Sequence, residues 1–191
     1  MLKRRLFLAS ASPRRADILK QFNINFTVIS NGLDIEVLTN PSKLRQSLRQ
    51  LSYQKAYASK KSHSGLILGA DTIVTLENEV LGKPQDINAA KKMLTKLSAK
   101  THQVISANCI YDTTNNKSYT RSTVTKVTFN KLTAKTIDNY CNKYNILDKA
   151  GSYAIQDYGK HLVKKFDGCY YNIVGLPIKT LLNILKNYVI V

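Results

Sequence analysis

Acidic residues are scarce in this chain. Twelve Asp and Glu stand against 29 Lys and Arg in 191 residues, a formal net charge of +17. An excess of that size suits polyanionic partners, among them nucleotides, nucleic acid and membrane surfaces. The lysines are scattered among asparagines and isoleucines, however, and no basic-aromatic stripe of the kind that tracks a nucleic-acid strand occurs. Compositional bias is the more economical reading, and no stable nucleic-acid complex is expected. Tryptophan is absent, and histidine and cysteine occur three times each. Cys109, Cys141 and Cys169 are far apart and without CxxC or Cys/His spacing, which argues against a zinc site. A reduced, cytoplasmic setting fits them. No stretch approaches the roughly 20 apolar residues of a membrane helix, so no membrane partner is expected. Lys3-Arg4-Arg5 before an apolar run imitates a secretory leader, but the run is short and Pro13-Arg14-Arg15 follows at once. The chain is expected to be soluble and not exported, and it is long enough for one domain or a compact two-lobed one.

What is present is organised around Leu6 to Arg15, LFLASASPRR. Leu6 to Ala9 suits a buried strand, and small residues at Ser10, Ala11 and Ser12 let a backbone approach a ligand. Ser12-Pro13 reads as a helix start, with serine accepting from orphan amides and proline at the first helical position. Ile18, Leu19 and Phe22 continue a helical face. Arg14 and Arg15 then fall in the first turn, where the helix dipole disfavours cations. Two arginines there make sense when an anion completes the site.

Further along, Phe26 to Ser30 reads as a second strand, Asn31-Gly32 as a turn, and Asp34 and Glu36 as two carboxylates on one side of an extended segment. Pro41-Ser42 starts a long amphipathic helix with Leu44, Leu48, Leu51, Ala56 and Tyr57 near helical spacing and Lys55 within it. Leu66 to Ala70 is a buried strand that delivers Asp71-Thr72. Glu77 to Glu79 makes a hairpin, after which Lys83 stands beside Gly82 and Pro84, an acid and a cation at one edge. Asp86 caps a helix over 89–97. His102 to Tyr111 and Ser118 to Phe129 read as two alternating strands about Asn115-Asn116, and Thr133 caps a helix over 134–144. Leu162 to Phe166 and Cys169 to Val174 read as a closing hairpin about Asp167-Gly168. A last helix follows Gly175-Leu176-Pro177, packing through Leu181, Leu182 and Leu185. His102 reads as a capping or supporting histidine before a catalytic base, and His63 and His161 show no partners in the sequence.

With these pieces in order, the sequence resembles the Maf family of nucleoside triphosphate pyrophosphatases. The matching stretches are LASASPRR (8–15), GADTIV (69–74), LGKPQD (81–86), LSAKTHQVIS (97–106), DKAGSYAIQ (148–156) and VGLP (174–177). Each is weak alone; six in family order across nearly the whole chain are specific. The resemblance implies an α/β fold like that of the Maf and inosine triphosphate pyrophosphatases. That fold is a mixed sheet with flanking helices and two lobes around a central cleft, here a single domain over 1–191. It implies hydrolysis of a nucleoside triphosphate to the monophosphate and pyrophosphate, with a divalent metal, magnesium or manganese.

Carried over by position, the resemblance places phosphate binding on Ser10, Arg14 and Arg15 with Lys55 and Lys83, and the catalytic aspartate on Asp71. Specificity falls on Arg14, Thr72 and Gln156, and metal binding on Asp71 with Asp34, which fits the spacing better than Glu36. Glutamine in the GSYAIQ context resembles the branch acting on dTTP and UTP, and a glutamine amide offers the donor and acceptor that uracil and thymine require. Two departures stand out: Asp157-Tyr158 intervene before Gly159 where many relatives have glycine directly, and Ile35 separates acids that are usually adjacent. A homodimer rests on the resemblance alone. Other classes stay open: a nucleic-acid-binding module, a cell-division regulator as the family's association with septum formation suggests, and a phosphatase that removes only the terminal phosphate.

Overall fold

The computed structural model describes residues 4–30, 43–77 and 79–188, with Asp157 by its backbone alone. Asp34, Glu36 and the Asn31-Gly32 turn lie outside the described residues. Among the described residues the architecture is α/β: seven strands, β1 (Leu6–Leu8), β2 (Thr27–Val28), β3 (Leu66–Leu76), β4 (Glu79–Leu81), β5 (Thr101–Asp112), β6 (Lys117–Phe129) and β7 (Val163–Asp167), form one mixed sheet in the order β2-β1-β3-β5-β6-β7, with β4 paired to β3, and six α-helices accompany it. By their contacts the residues divide into two compact units. Unit 1 comprises Met1–Asp71, Ser106–Thr123 and Gly175–Val191; unit 2 comprises Thr72–Ile105 and Val124–Val174.

Unit 1 begins with β1 (Leu6–Leu8), whose three residues are all buried. Parallel strands lie on both sides: β2 (Thr27–Val28), and β3 (Leu66–Leu76) with Leu8 opposite Leu68. A continuous apolar run is what a strand covered on both faces needs. Helix α1 (Pro13–Gln21) starts at the expected proline and buries Ile18 and Leu19. Helix α2 (Leu44–Ala58) buries Leu48, Leu51, Ser52 and Ala56, whereas Tyr57 stays exposed. It packs against β3 at Gly69, where an added Cβ would lie 2.1 Å from the Ser52 carbonyl oxygen and 2.7 Å from the Ala56 nitrogen. The second half of β5 (Thr101–Asp112) and the first half of β6 (Lys117–Phe129) complete this part of the sheet. Asp112 closes their turn by accepting from the Thr114 and Asn115 amides and pairing with Arg4. Helix α6 (Ile178–Leu185) buries Ile178, Leu181, Ile184 and Leu185, with Leu182 only half-buried.

Unit 2 contains the remainder of those strands, the short β4 (Glu79–Leu81), helices α3 (Ile87–Leu97) and α4 (Ala134–Lys143), strand β7 (Val163–Asp167) and helix α5 (Tyr170–Val174). Both expected caps form: Asp86 accepts from the Ala89 amide at 2.7 Å and Thr133 from the Thr136 amide at 3.1 Å. Three expectations need correction. Cys169 to Val174 is not a strand; the Cys169 amide and the Asn172 side chain donate to Thr125 Oγ1, and Asn172 also donates to the Val104 carbonyl, which winds the segment into α5. Tertiary partners here override the β-propensity of two tyrosines, an isoleucine and a valine. β5 has almost no outward face, because from Val104 to Asp112 every residue is buried. His63 and His161 do have partners: His63 meets the Ser59 carbonyl and the Phe7 ring, and His161 lies against Tyr158.

Candidate active site

The C-terminal end of β1 lies beside the first residues of β3 and runs parallel to them, the Ala9 amide donating to the Leu68 carbonyl at 2.9 Å. Crevices beyond such ends are where parallel sheets commonly bind ligands. Ser10 follows β1, and Asp71 stands two residues beyond the Gly69 at which α2 packs. β3 does not end at Asp71-Thr72 but runs on to Leu76, pairing there with β4.

The arginines of α1 divide. Arg15 is buried, donating from Nη1 to Ser10 Oγ at 2.8 Å and from Nε to the Gly175 carbonyl at 3.0 Å. Arg14 is half-buried. Burial lowers the Arg15 pKa below its ordinary value; the negative charge of Asp71 raises it, and the positive charge of Arg14 lowers it further. Asp71 and Arg14 therefore each act electrostatically on Arg15. Ser12 occupies the N-cap position but makes no side-chain cap bond, which corrects the expected role. Its amide instead donates to Ser10 Oγ at 3.3 Å. With donors from Arg15 and Ser12 on its lone pairs, the Ser10 hydroxyl keeps its own hydrogen to give to an acceptor.

Lys55 Nζ lies 2.8 Å from Asp71 Oδ1, both side chains being mostly buried. Unit 1 thus gathers Ser10, Arg14, Arg15, Lys55 and Asp71, five residues expected from the sequence. The Gly175 carbonyl is the partner that sequence reasoning missed. The one trace of it in the sequence is the Gly-Leu-Pro punctuation; in the structure Gly175 sits at φ 122°, backbone that other residues rarely adopt.

Unit 2 carries Thr72, Lys83 and Gln156. Thr72 and Gln156 are half-buried and Lys83 is exposed. Their segments meet through backbone: the Gly151 amide donates to the Gly82 carbonyl at 3.0 Å, and a Cβ on Gly151 would touch Val74 at 3.0 Å. Gly159, displaced by Asp157-Tyr158, folds back so that its amide donates to the Gln156 carbonyl at 3.0 Å.

A model of the family described as Maf-like protein matches residues 5–188. The chain belongs to that family. Curated relatives agree along the whole Maf-like length. A dTTP/UTP pyrophosphatase of Clostridium tetani is 43% identical over 94% of this chain and 95% of its own. One of Ruminiclostridium cellulolyticum is 42% identical over 96% and 95%, and one of Clostridioides difficile 38% over 96% and 94%. Among solved structures, the Staphylococcus aureus Ham1 protein overlays at TM-score 0.46 and 13% identity, covering 65% of this chain and 71% of its own. No helix among the described residues is long and apolar enough to cross a membrane.

Among the described residues no three His, Cys, Asp or Glu side chains gather. A site with the single carboxylate of Asp71 still suits magnesium, which is commonly held by one or two carboxylates together with substrate phosphates.

Proposed function

We propose that this Maf-like chain hydrolyses nucleoside triphosphates, dTTP and UTP by preference, to the monophosphate and pyrophosphate. The supporting observation is a carboxylate, Asp71, set beside a lysine and electrostatically coupled to a buried arginine that is itself oriented by Ser10 and Gly175. A triphosphate carries about four negative charges, and preorganised cations act on the charge that grows on its leaving group. Water attacks the α-phosphorus, Asp71 accepts its proton, and the bond to the bridging oxygen of the β-phosphate breaks to release pyrophosphate. Arg14, Arg15, Lys55 and Lys83 hold the phosphates, and the Ser10 hydroxyl donates to one of their oxygens. Gln156, with Thr72 and Arg14, reads the base.

Magnesium or manganese, held by Asp71 with Asp34 as the second candidate, would neutralise triphosphate charge when bound. We read residues 1–191 as one functional domain. The cytoplasm, which keeps three free thiols reduced, is the compartment that fits.

A panel of canonical and modified nucleoside triphosphates, assayed with either metal and with the phosphorus product identified, tests the reading. The expected result is pyrophosphate release, fastest from dTTP and UTP. Orthophosphate as the product, or inactivity across the panel, would overturn it.

A further inference from the structure

The Gln156 side chain makes no hydrogen bond among the described residues, yet the backbone leading to it is fixed residue by residue. Tyr153 is buried, with its hydroxyl 2.7 Å from His102 Nε2. The two rings and Phe129 form a block of near-perpendicular pairs, with centroids 5.4 Å apart for His102 and Tyr153, 4.8 Å for Phe129 and Tyr153, and 4.9 Å for His102 and Phe129. The Ala154 amide donates to Tyr140 Oη at 3.1 Å. Gly159 packs so tightly on the Ala154 carbonyl that a Cβ would lie 1.4 Å from its oxygen. Ile155 is buried. Elements β5, β6 and α4 therefore converge on four residues that end at Gln156.

Packing alone does not ask for a histidine and a tyrosine here, because Leu and Phe would fill the same space. A buried polar pair adds little net stability but fixes direction, since each partner is costly to leave unpaired. Burial also holds His102 neutral, its pKa pushed down to about 4, so the contact is a hydrogen bond between uncharged groups.

We infer that His102 is a positioning residue for base discrimination: through Tyr153 Oη it locks residues 153–156 so that Gln156 presents its amide in one orientation. The inference rests on the reading of Gln156 as the base-reading residue. It gives the buried histidine of the THQV stretch a part in specificity although it touches no substrate.

The test compares Tyr153→Phe, which removes one oxygen, His102→Leu, which removes the ring nitrogens, and His102→Gln, which returns a polar group within reach of Tyr153. kcat and KM are measured for dTTP and UTP and for CTP and ATP. Tyr153→Phe and His102→Leu should each raise KM for dTTP and UTP about tenfold while kcat changes by less than about twofold. CTP and ATP should be unaffected, His102→Gln should recover most of the loss, and the double variant should add nothing to either single one. A uniform loss across all four nucleotides, or an unchanged KM for dTTP and UTP, overturns the inference. Gln156→Ala, run in parallel, separates the two readings. If it also leaves base preference intact, the base-reading role of Gln156 falls and this inference with it. If it abolishes preference while Tyr153→Phe and His102→Leu keep it, the positioning role alone falls. Should His102→Leu fail to fold, Tyr153→Phe decides by itself.

Discussion

Lys55 Nζ and Asp71 Oδ1 are 2.8 Å apart because residue 69 has no side chain. The α2 backbone at Ser52 and Ala56 occupies the space a Cβ would take, and one helical turn places Lys55 beside the strand carboxylate. Gly69→Ala should push α2 off β3, lower stability by about 1–3 kcal/mol and reduce turnover. Denaturant midpoints and pyrophosphate release from the same preparation check both. A variant as stable as the parent would show that the close approach is not needed.

Asp71→Asn keeps the shape of the side chain and removes its ability to take a proton. Turnover of dTTP and UTP should fall by about 10²–10⁴, while binding of the unreacted nucleotide is largely kept. Near-parental kcat would remove Asp71 from the role of base.

Arg15→Lys retains the charge and loses the fork that reaches Ser10 Oγ and the Gly175 carbonyl together. A lysine cannot satisfy both at the same geometry. The expected loss in kcat/KM is about 10²–10³. Ser10→Ala should weaken the consequence of Arg15→Lys, since the two groups act as a pair; steady-state kinetics of the double variant measures that coupling.

Burial pushes the His102 pKa from 6.5 down to about 4. Between those values the unfolded chain binds a proton that the folded chain does not. The stability tied to neutral His102 is therefore complete above the unfolded value and is lost as pH falls towards the folded one. The loss amounts to about 3 kcal/mol at most. Urea midpoints measured downward from neutral pH should fall with a shallower slope in His102→Gln than in the parent; equal slopes would contradict the burial of a neutral ring.

Much of this was legible in the chain because the signals were local. Pro13 starts α1, Asp86 and Thr133 cap α3 and α4, and the apolar run at Leu6 to Ala9 becomes a strand paired on both sides. Ser10, Arg14, Arg15, Lys55 and Asp71 all belong to unit 1. What was not legible depended on partners far along the sequence. Nothing in CYYNIV says that Asn172 will reach Val104 and Thr125, so its β-rich composition points to a strand where the structure has a helix. Nothing near Arg15 says that its guanidinium will find a carbonyl 160 residues later. The alternation in β5 was misleading for a related reason: polar Ser106, Asn108 and Asp112 lie in the interior, where strand periodicity no longer separates core from surface.

The bond from the Gly151 amide to the Gly82 carbonyl, with Val74 pressed against Gly151, bears on how this molecule can vary. Loops ordinarily absorb insertions and deletions cheaply. Here the loop carrying Lys83 and the loop leading to Gln156 are tied to each other and to a strand, so lengthening either would break the knot. Variation at these loops is therefore expected through exchanged side chains at constant loop length, and a graft between relatives should carry both loops together.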